Sequence, residues 1–220
     1  MTLSIEKYCS EEWCRFAEFY GQIITVKPGE HIFNEGELTL GIYLIRSGNV
    51  KVTTSAGKHN VNRLIRLAAV NDIIGHRGFG GDWKYTVSGI ALTETELLFI
   101  PLKIFNSIFR ANPDFAYYMM TFFAEELRDA ESFMEQLPVK NTVAKVLLKN
   151  LESFGLEKGS DTKLSFTLSR KDLASLAGTR YETLVRILAD FNQEKLIRLE
   201  GKSIHILNPD LLRQMALGVI

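Results

Sequence analysis

Between Pro113 and Pro138 the chain carries neither glycine nor proline, and Asn112-Pro113 before it reads as an N-cap followed by a proline in the first helical position. The stretch is long enough for a helix of roughly seven turns. Its apolar residues fall at Ala116, Met120, Phe123, Leu127, Ala130, Met134 and Leu137, in steps that alternate four and three. That is the spacing of a coiled-coil seam. Tyr117, Tyr118, Met119 and Phe122 make the first half apolar nearly all round, so it is expected to pack on its own domain and on a partner at once. The second half reads as a narrower seam between two copies, with Met120, Phe123, Leu127, Ala130, Met134 and Leu137 as the dimer contacts. An amphipathic helix packed only on its own domain is the alternative.

The texture before this helix is different. Ser10 to Tyr20 reads as a short helix with Glu11 and Glu12 in its first turn. From Gln22 to Ile100 short β-branched runs alternate with glycines, Gly29, Gly36, Gly48, Gly57 and Gly75 standing at turn positions. Strands this short and this frequent predict a jelly roll of about eight strands. After Pro138, a natural hinge, a helix is expected over Asn141–Ser153. Beyond a polar connection, Ser169 caps a short helix, Arg170 to Ala177. Gly178 then supplies a turn, and a second helix runs through Phe191 with Leu184, Ile187, Leu188 and Phe191 inward. A hairpin around Glu200-Gly201-Lys202 follows as a wing, and Asn208-Pro209 opens a last helix. The expected division is therefore 1–111 as an effector-type β-roll, 112–138 as a dimerisation helix and 139–220 as a DNA-binding domain.

Charge follows the same division. Residues 1–138 carry 13 Lys/Arg against 17 Asp/Glu, and residues 139–220 carry 13 against 9, which places a basic third behind an acidic front in a chain of zero net charge. No run approaches the roughly 18 apolar residues of a membrane span, and early glutamates break any signal-peptide pattern. The cell interior, the cytoplasm, is the expected compartment. Cys9 and Cys14 alone build neither a disulfide framework nor an iron–sulfur site. His31, His59 and His76 lack the spacing of a cupin-type metal cluster, so an enzyme using the jelly-roll interior is set aside.

Two stretches resemble a known family. PGEHIFNEGE followed by GIYLIRSGNVKV is similar to the opening of the cyclic-nucleotide-binding β-roll, through Gly29-Glu30, Gly36-Glu37 and Gly48-Asn49-Val50. SRKDLASLAGTRYETLVRILADF followed by EKLI resembles the winged helix-turn-helix of the cyclic AMP receptor protein/FNR family. The resemblance runs from about Gln22 to Leu207 with the domains in the family's order. It implies an α+β chain: an N-terminal cyclic-nucleotide-binding-like β-roll, a long dimerisation helix and a C-terminal winged helix-turn-helix. It also implies a homodimeric regulator on double-stranded DNA, with RNA polymerase as a further partner. Glu182 and Arg186 match the family's base-reading pair, and their chemistry suits cytosine N4 and guanine O6/N7. Tyr181 stands where the cyclic AMP receptor has an arginine, and Val185 where the FNR branch has a serine; a core related to GTGA or TTGA is expected. Thr167, Ser169, Arg180, Thr183 and Lys202 are candidates for phosphate contacts. An exposed i, i+4 ion pair is the bland reading of Glu182 and Arg186.

The effector side departs from the family's pattern. The glutamate that would take the ribose hydroxyl is His76, the arginine that would neutralise the cyclic phosphate is Tyr85, and Thr86 follows. The two positions that would meet the adenine fall at about Ala130 and Glu131. Cyclic AMP is therefore not expected as the effector. Gly75, His76, Arg77, Tyr85 and Thr86 mark a candidate pocket for an unknown small molecule, and His76 also admits comparison with the family's haem-binding members. An architectural β-roll with no ligand is the other reading.

Overall fold

A computed structural model of the chain describes residues 8–55, 63–134 and 137–219, with the backbone alone for 129–134. The chain forms two compact units, Met1–Asn62 with Ala68–Glu135 and Gln136–Ile220 with Arg63–Leu67. Eight short strands follow helix α1 (Glu11–Tyr20): β1 (Gln22–Val26), β2 (His31–Phe33), β3 (Gly41–Ser47), β4 (Val50–Thr54), β5 (Arg63–Ala68), β6 (Ile73–Ile74), β7 (Ser88–Ala91) and β8 (Thr95–Pro101). They make two four-stranded sheets, ordered β1-β8-β3-β6 and β2-β7-β4-β5. The expected β-roll is thus present, strand for strand.

β3 explains why the roll is stable. It runs antiparallel to β8, pairing Ile42 with Ile100 and Leu44 with Leu98. Side chains alternate across a strand, yet Gly41 to Ile45 are all buried, so both faces are covered. Ile42, Leu44, Leu98 and Ile100 face helices, packing against Phe105, Ile108, Phe115, Tyr118, Met119 and Phe122.

The glycine-glutamate turns have a local cause. Gly29 and Gly36 have φ of 86° and 88°, a left-handed backbone that a Cβ would strain. The following carboxylates then close the turns: Glu30 accepts from the Lys27 N–H and Glu37 from the Asn34 N–H, both at 2.9 Å. The hydrogen bonds from Asn34 hold the Glu37 carboxyl below its usual range. Gly57 lies outside the described residues.

Helix α2 (Leu102–Ala111) connects the roll to α3 (Pro113–Met134). α2 was not expected. Asn112 also behaves differently from the N-cap the sequence predicts: its side-chain amide turns back and donates to the Ile108 carbonyl at 2.7 Å, closing α2, and only its backbone carbonyl accepts from Ala116 of α3. Ser10 likewise stands at the N-cap position of α1 without a side-chain cap. Along α3, Phe115, Tyr118, Met119 and Phe122 are buried, whereas Tyr117, in the half expected to pack on its own domain and on a partner at once, is 67% exposed. The i, i+3, i+4 period explains the division, because residue 117 falls between the buried rows.

The C-terminal unit comprises α4 (Val139–Phe154), α5 (Arg170–Leu176), α6 (Tyr181–Gln193), the hairpin β9 (Ile197–Glu200) and β10 (Ser203–Ile206), and α7 (Pro209–Ala216). Two asparagines on α4 hold it together from inside. Asn150, fully buried, donates to the Phe166 carbonyl at 2.9 Å and accepts from the Leu168 N–H at 3.2 Å, fixing the segment that enters α5. Asn141 donates to the Met215 carbonyl of α7 at 2.7 Å. An Asn150→Leu variant leaves two buried backbone groups unpaired, each worth about 1–3 kcal/mol. We expect a loss of about 2–6 kcal/mol in the C-terminal unit, read by urea denaturation of the full chain.

Candidate nucleic-acid interface

The recognition element is built by helix anchoring on one side and exposure on the other. Ser169 caps α5, its Oγ accepting from the Asp172 N–H at 3.1 Å and donating to the Asp172 carboxylate at 2.8 Å. Gly178, at φ 63°, makes the turn, where its N–H donates to Ser175 and that of Thr179 to Ala174. α6 then buries Leu184, Ile187, Leu188 and Phe191. The opposite face presents Tyr181, Glu182, Val185 and Arg186 to solvent. Among the described residues the side chains of Glu182 and Arg186 take part in no hydrogen bond or ion pair, so the i, i+4 ion pair does not form.

The phosphate candidates divide. Arg180, at the N-cap position of α6, and Lys202, in the wing turn, are exposed, and Thr183 is half-buried. Thr167 spends its hydroxyl oxygen on the wing, accepting from the Ile204 N–H at 3.3 Å, as Ser169 spends its own on the cap. In the wing, Glu200 pairs with Ser203, leaving Gly201 and Lys202 as a two-residue turn with Gly201 at φ 57°. His205 braces it from below: Nδ1 accepts from Arg198 at 3.0 Å and Nε2 donates to Glu200 at 2.9 Å.

The candidate effector region lies in the N-terminal unit. Gly75, at φ 83°, opens a 3₁₀ turn, His76–Gly78. Tyr85 is buried among aromatic rings, 4.4 Å from Phe33, and its hydroxyl donates to the Gly41 carbonyl at 2.8 Å. Burial raises its pKa. Thr86 points outward. His76 is buried, with its ring nitrogens 3.1 Å from the Ile73 carbonyl and 3.2 Å from Glu126, to which Arg77 also donates. The side chains of Ala130 and Glu131, and of Ala130 and Met134 in the predicted seam, are outside the described residues; Leu137 is half-buried.

A family model of the cyclic nucleotide-binding domain matches residues 23–112, and one of the Crp-like helix-turn-helix domain matches residues 143–215. A regulator of Mycobacterium tuberculosis named CRP-like cAMP-activated global transcriptional regulator is 29% identical over 89% of this chain and 88% of its own. The transcriptional activator Anr of Pseudomonas protegens is 27% identical over 89% of this chain and 80% of its own. The chain belongs to the cyclic AMP receptor/FNR family. Among solved structures, FixK2 from Bradyrhizobium japonicum superposes with a TM-score of 0.76 at 18% identity, over 89% of this chain and 96% of that one, a likeness of fold.

Membership makes the chain a transcription regulator with a helix-turn-helix DNA-binding domain, in a family of regulators rather than enzymes. No helix among the described residues is long and apolar enough to cross a membrane.

Within that family frame the sequence reading missed two residues of the C-terminal unit. Asn150 gave no signal, because an asparagine in a helix reads as surface. Arg170 is half-buried beside Tyr181 at the start of α5; burial lowers its pKa, and no described carboxylate pairs with it. Its place one residue after the Ser169 cap was the available clue.

Proposed function

We propose that the protein acts as a homodimer that reads double-stranded DNA through Glu182 and Arg186, with Tyr181 at the flanking base, and that cyclic AMP does not control it. The observation that carries the DNA reading is the exposed, unpaired Glu182 and Arg186, one turn apart on the solvent face of a firmly anchored helix. Arginine offers guanine two parallel donors, and glutamate accepts from cytosine. Arg180, Thr183 and Lys202, with Thr167 and Ser169, lie on the elements that would position the unit against phosphates. Two copies on a near-palindromic site, with a core related to GTGA or TTGA, place these helices in major grooves about 34 Å apart. The exposed apolar residues of α3 support pairing of two copies, and RNA polymerase is the partner such a regulator would address.

Independence from cyclic AMP rests on Tyr85. A cyclic phosphate needs a cation, and the residue in that place is a buried phenol already bonded to Gly41. Haem at His76 would have to displace Glu126 from Nε2, the nitrogen not committed to a backbone carbonyl, so a different small molecule, or none, fits better. Fluorescence anisotropy on palindromic DNA, with and without saturating cyclic AMP, tests this. We expect selective binding whose Kd moves by less than about twofold on adding the nucleotide. Binding that appears only with cyclic AMP overturns the reading of His76 and Tyr85.

A further inference from the structure

His76 is 3% exposed, and both of its nitrogens are aimed at acceptors. Nδ1 lies 3.1 Å from the Ile73 carbonyl, which can only accept, so Nδ1 carries a hydrogen. Nε2 lies 3.2 Å from the Glu126 carboxylate. A neutral ring protonated at Nδ1 would turn a lone pair toward that carboxylate. The contact is attractive when Nε2 carries a hydrogen as well, which makes the ring an imidazolium. Putting the proton on Glu126 instead is opposed by Arg77, whose Nε donates to the same oxygen at 3.2 Å and favours the carboxylate. Among the described contacts, charged groups thus face the imidazole from two elements, Glu126 from α3 and Arg77 from its own turn. The rings of Phe122 and Phe123 pack on it at 5.2 and 5.6 Å between centroids, limiting the access of water.

The same contacts join the 3₁₀ turn to the helix expected to pair two copies. Glu126 sits next to Leu127 and three residues after Phe123, and both of these apolar residues are exposed. A proton on His76 therefore ties the effector-side turn to the seam face of α3. We propose that His76 is a proton-binding site through which pH controls pairing of α3 and, through pairing, affinity for DNA. The inference rests on the homodimeric regulator reading above.

The sign follows from which form the site holds. The partner carboxylate binds the protonated ring, so the tie is complete on the acid side and is lost as pH rises through the titration of His76. Deprotonation leaves a lone pair against Glu126, and the turn's hold on the helix weakens to the contact from Arg77. Dimer and DNA affinity then fall with rising pH, by up to about tenfold per pH unit for each protomer's proton.

The test uses the full chain across about pH 5.5 to 8.5, where an imidazole can titrate. Sedimentation equilibrium reads dimerisation, anisotropy reads DNA binding, and ring-¹⁵N NMR reads the protonation state of each histidine. We expect both affinities to fall with pH in the wild type, and the slope to flatten in His76→Gln and in Glu126→Gln. The Glu126→Gln variant keeps an acceptor for Nε2 and removes only the charge, so it separates the proton from the packing. A flat wild-type profile overturns the proposal. So does a full slope retained in Glu126→Gln, which would assign the effect to another group such as His205. A His76 ring that is neutral throughout the range overturns it too. A chain that neither dimerises nor binds DNA at any pH defeats the regulator reading, whereas a His76 titration that moves in Glu126→Gln still supports the proton site.

Discussion

Arg186→Ala is expected to erase preference for the cognate DNA site while leaving the dimer and weak non-specific binding in place. The reason is that Arg186 contributes nothing to the fold. Its helix is held by Leu184, Ile187, Leu188 and Phe191, and its guanidinium has no partner to lose among the described residues. Against guanine O6 and N7 the same fork is worth about 1–3 kcal/mol of discrimination in each half-site, hence about 2–6 kcal/mol over a symmetric pair. Competition anisotropy at fixed salt, cognate duplex against scrambled duplex, should show the ratio collapse by between roughly thirtyfold and ten-thousandfold. Affinity for the scrambled duplex should change much less, because non-specific binding counts charges and only one per protomer is removed. Arg186→Lys should fall between the two, since it keeps the charge and loses the planar fork. A ratio that survives the alanine would remove Arg186 from base readout and leave it a surface cation.

What could be read from the sequence was whatever local chemistry dictates. The Gly-Glu turns are set within four residues, by a left-handed glycine and a carboxylate folding back on the turn, and so they showed in the residue string. The helix-turn-helix is equally local: a capping serine, a glycine at φ 63° and an apolar row at helical spacing. α2 was missed because LKIFNSIF continues the apolar texture of β8, and its Phe105, Ile108 and Phe109 are too few to declare a period. The rest depended on distance. Tyr85 reads as a substituted ligand contact, but that it fills space beside Phe33 and bonds to Gly41, 44 residues earlier, is a fact of the folded roll. His76 and Glu126 stand 50 residues apart, and no spacing rule brings them together. Asn112 shows the limit even nearby, since two helices compete for one side chain and the preceding helix holds it.

The seam of α3 gives the other large effect, because among the described residues it is a long apolar stripe that the chain does not bury by itself. Tyr117, Met120, Phe123 and Leu127 are 67%, 60%, 38% and 61% exposed, and at 100° per residue they fall within an arc of about 120°. The other side of the helix is spent on Phe115, Tyr118, Met119 and Phe122, buried against the roll and α2. Apolar area of this kind is ordinary when scattered and costly when aligned. Leu127→Asp is therefore expected to convert the dimer to monomer. Burying two leucines is worth about 3–6 kcal/mol, which is two to four decades in the dimer dissociation constant, and two facing carboxylates oppose association further. Sedimentation equilibrium reads the change directly. The monomer itself should melt within about 0.5 kcal/mol of the wild type, since the side chain is exposed there. DNA binding should drop to the level of a single half-site, although Glu182 and Arg186 are untouched. That combination, an intact fold with lost assembly and lost site affinity, follows only if two copies pair through this face. An unchanged dimer would mean that the stripe serves another contact and that the copies meet elsewhere.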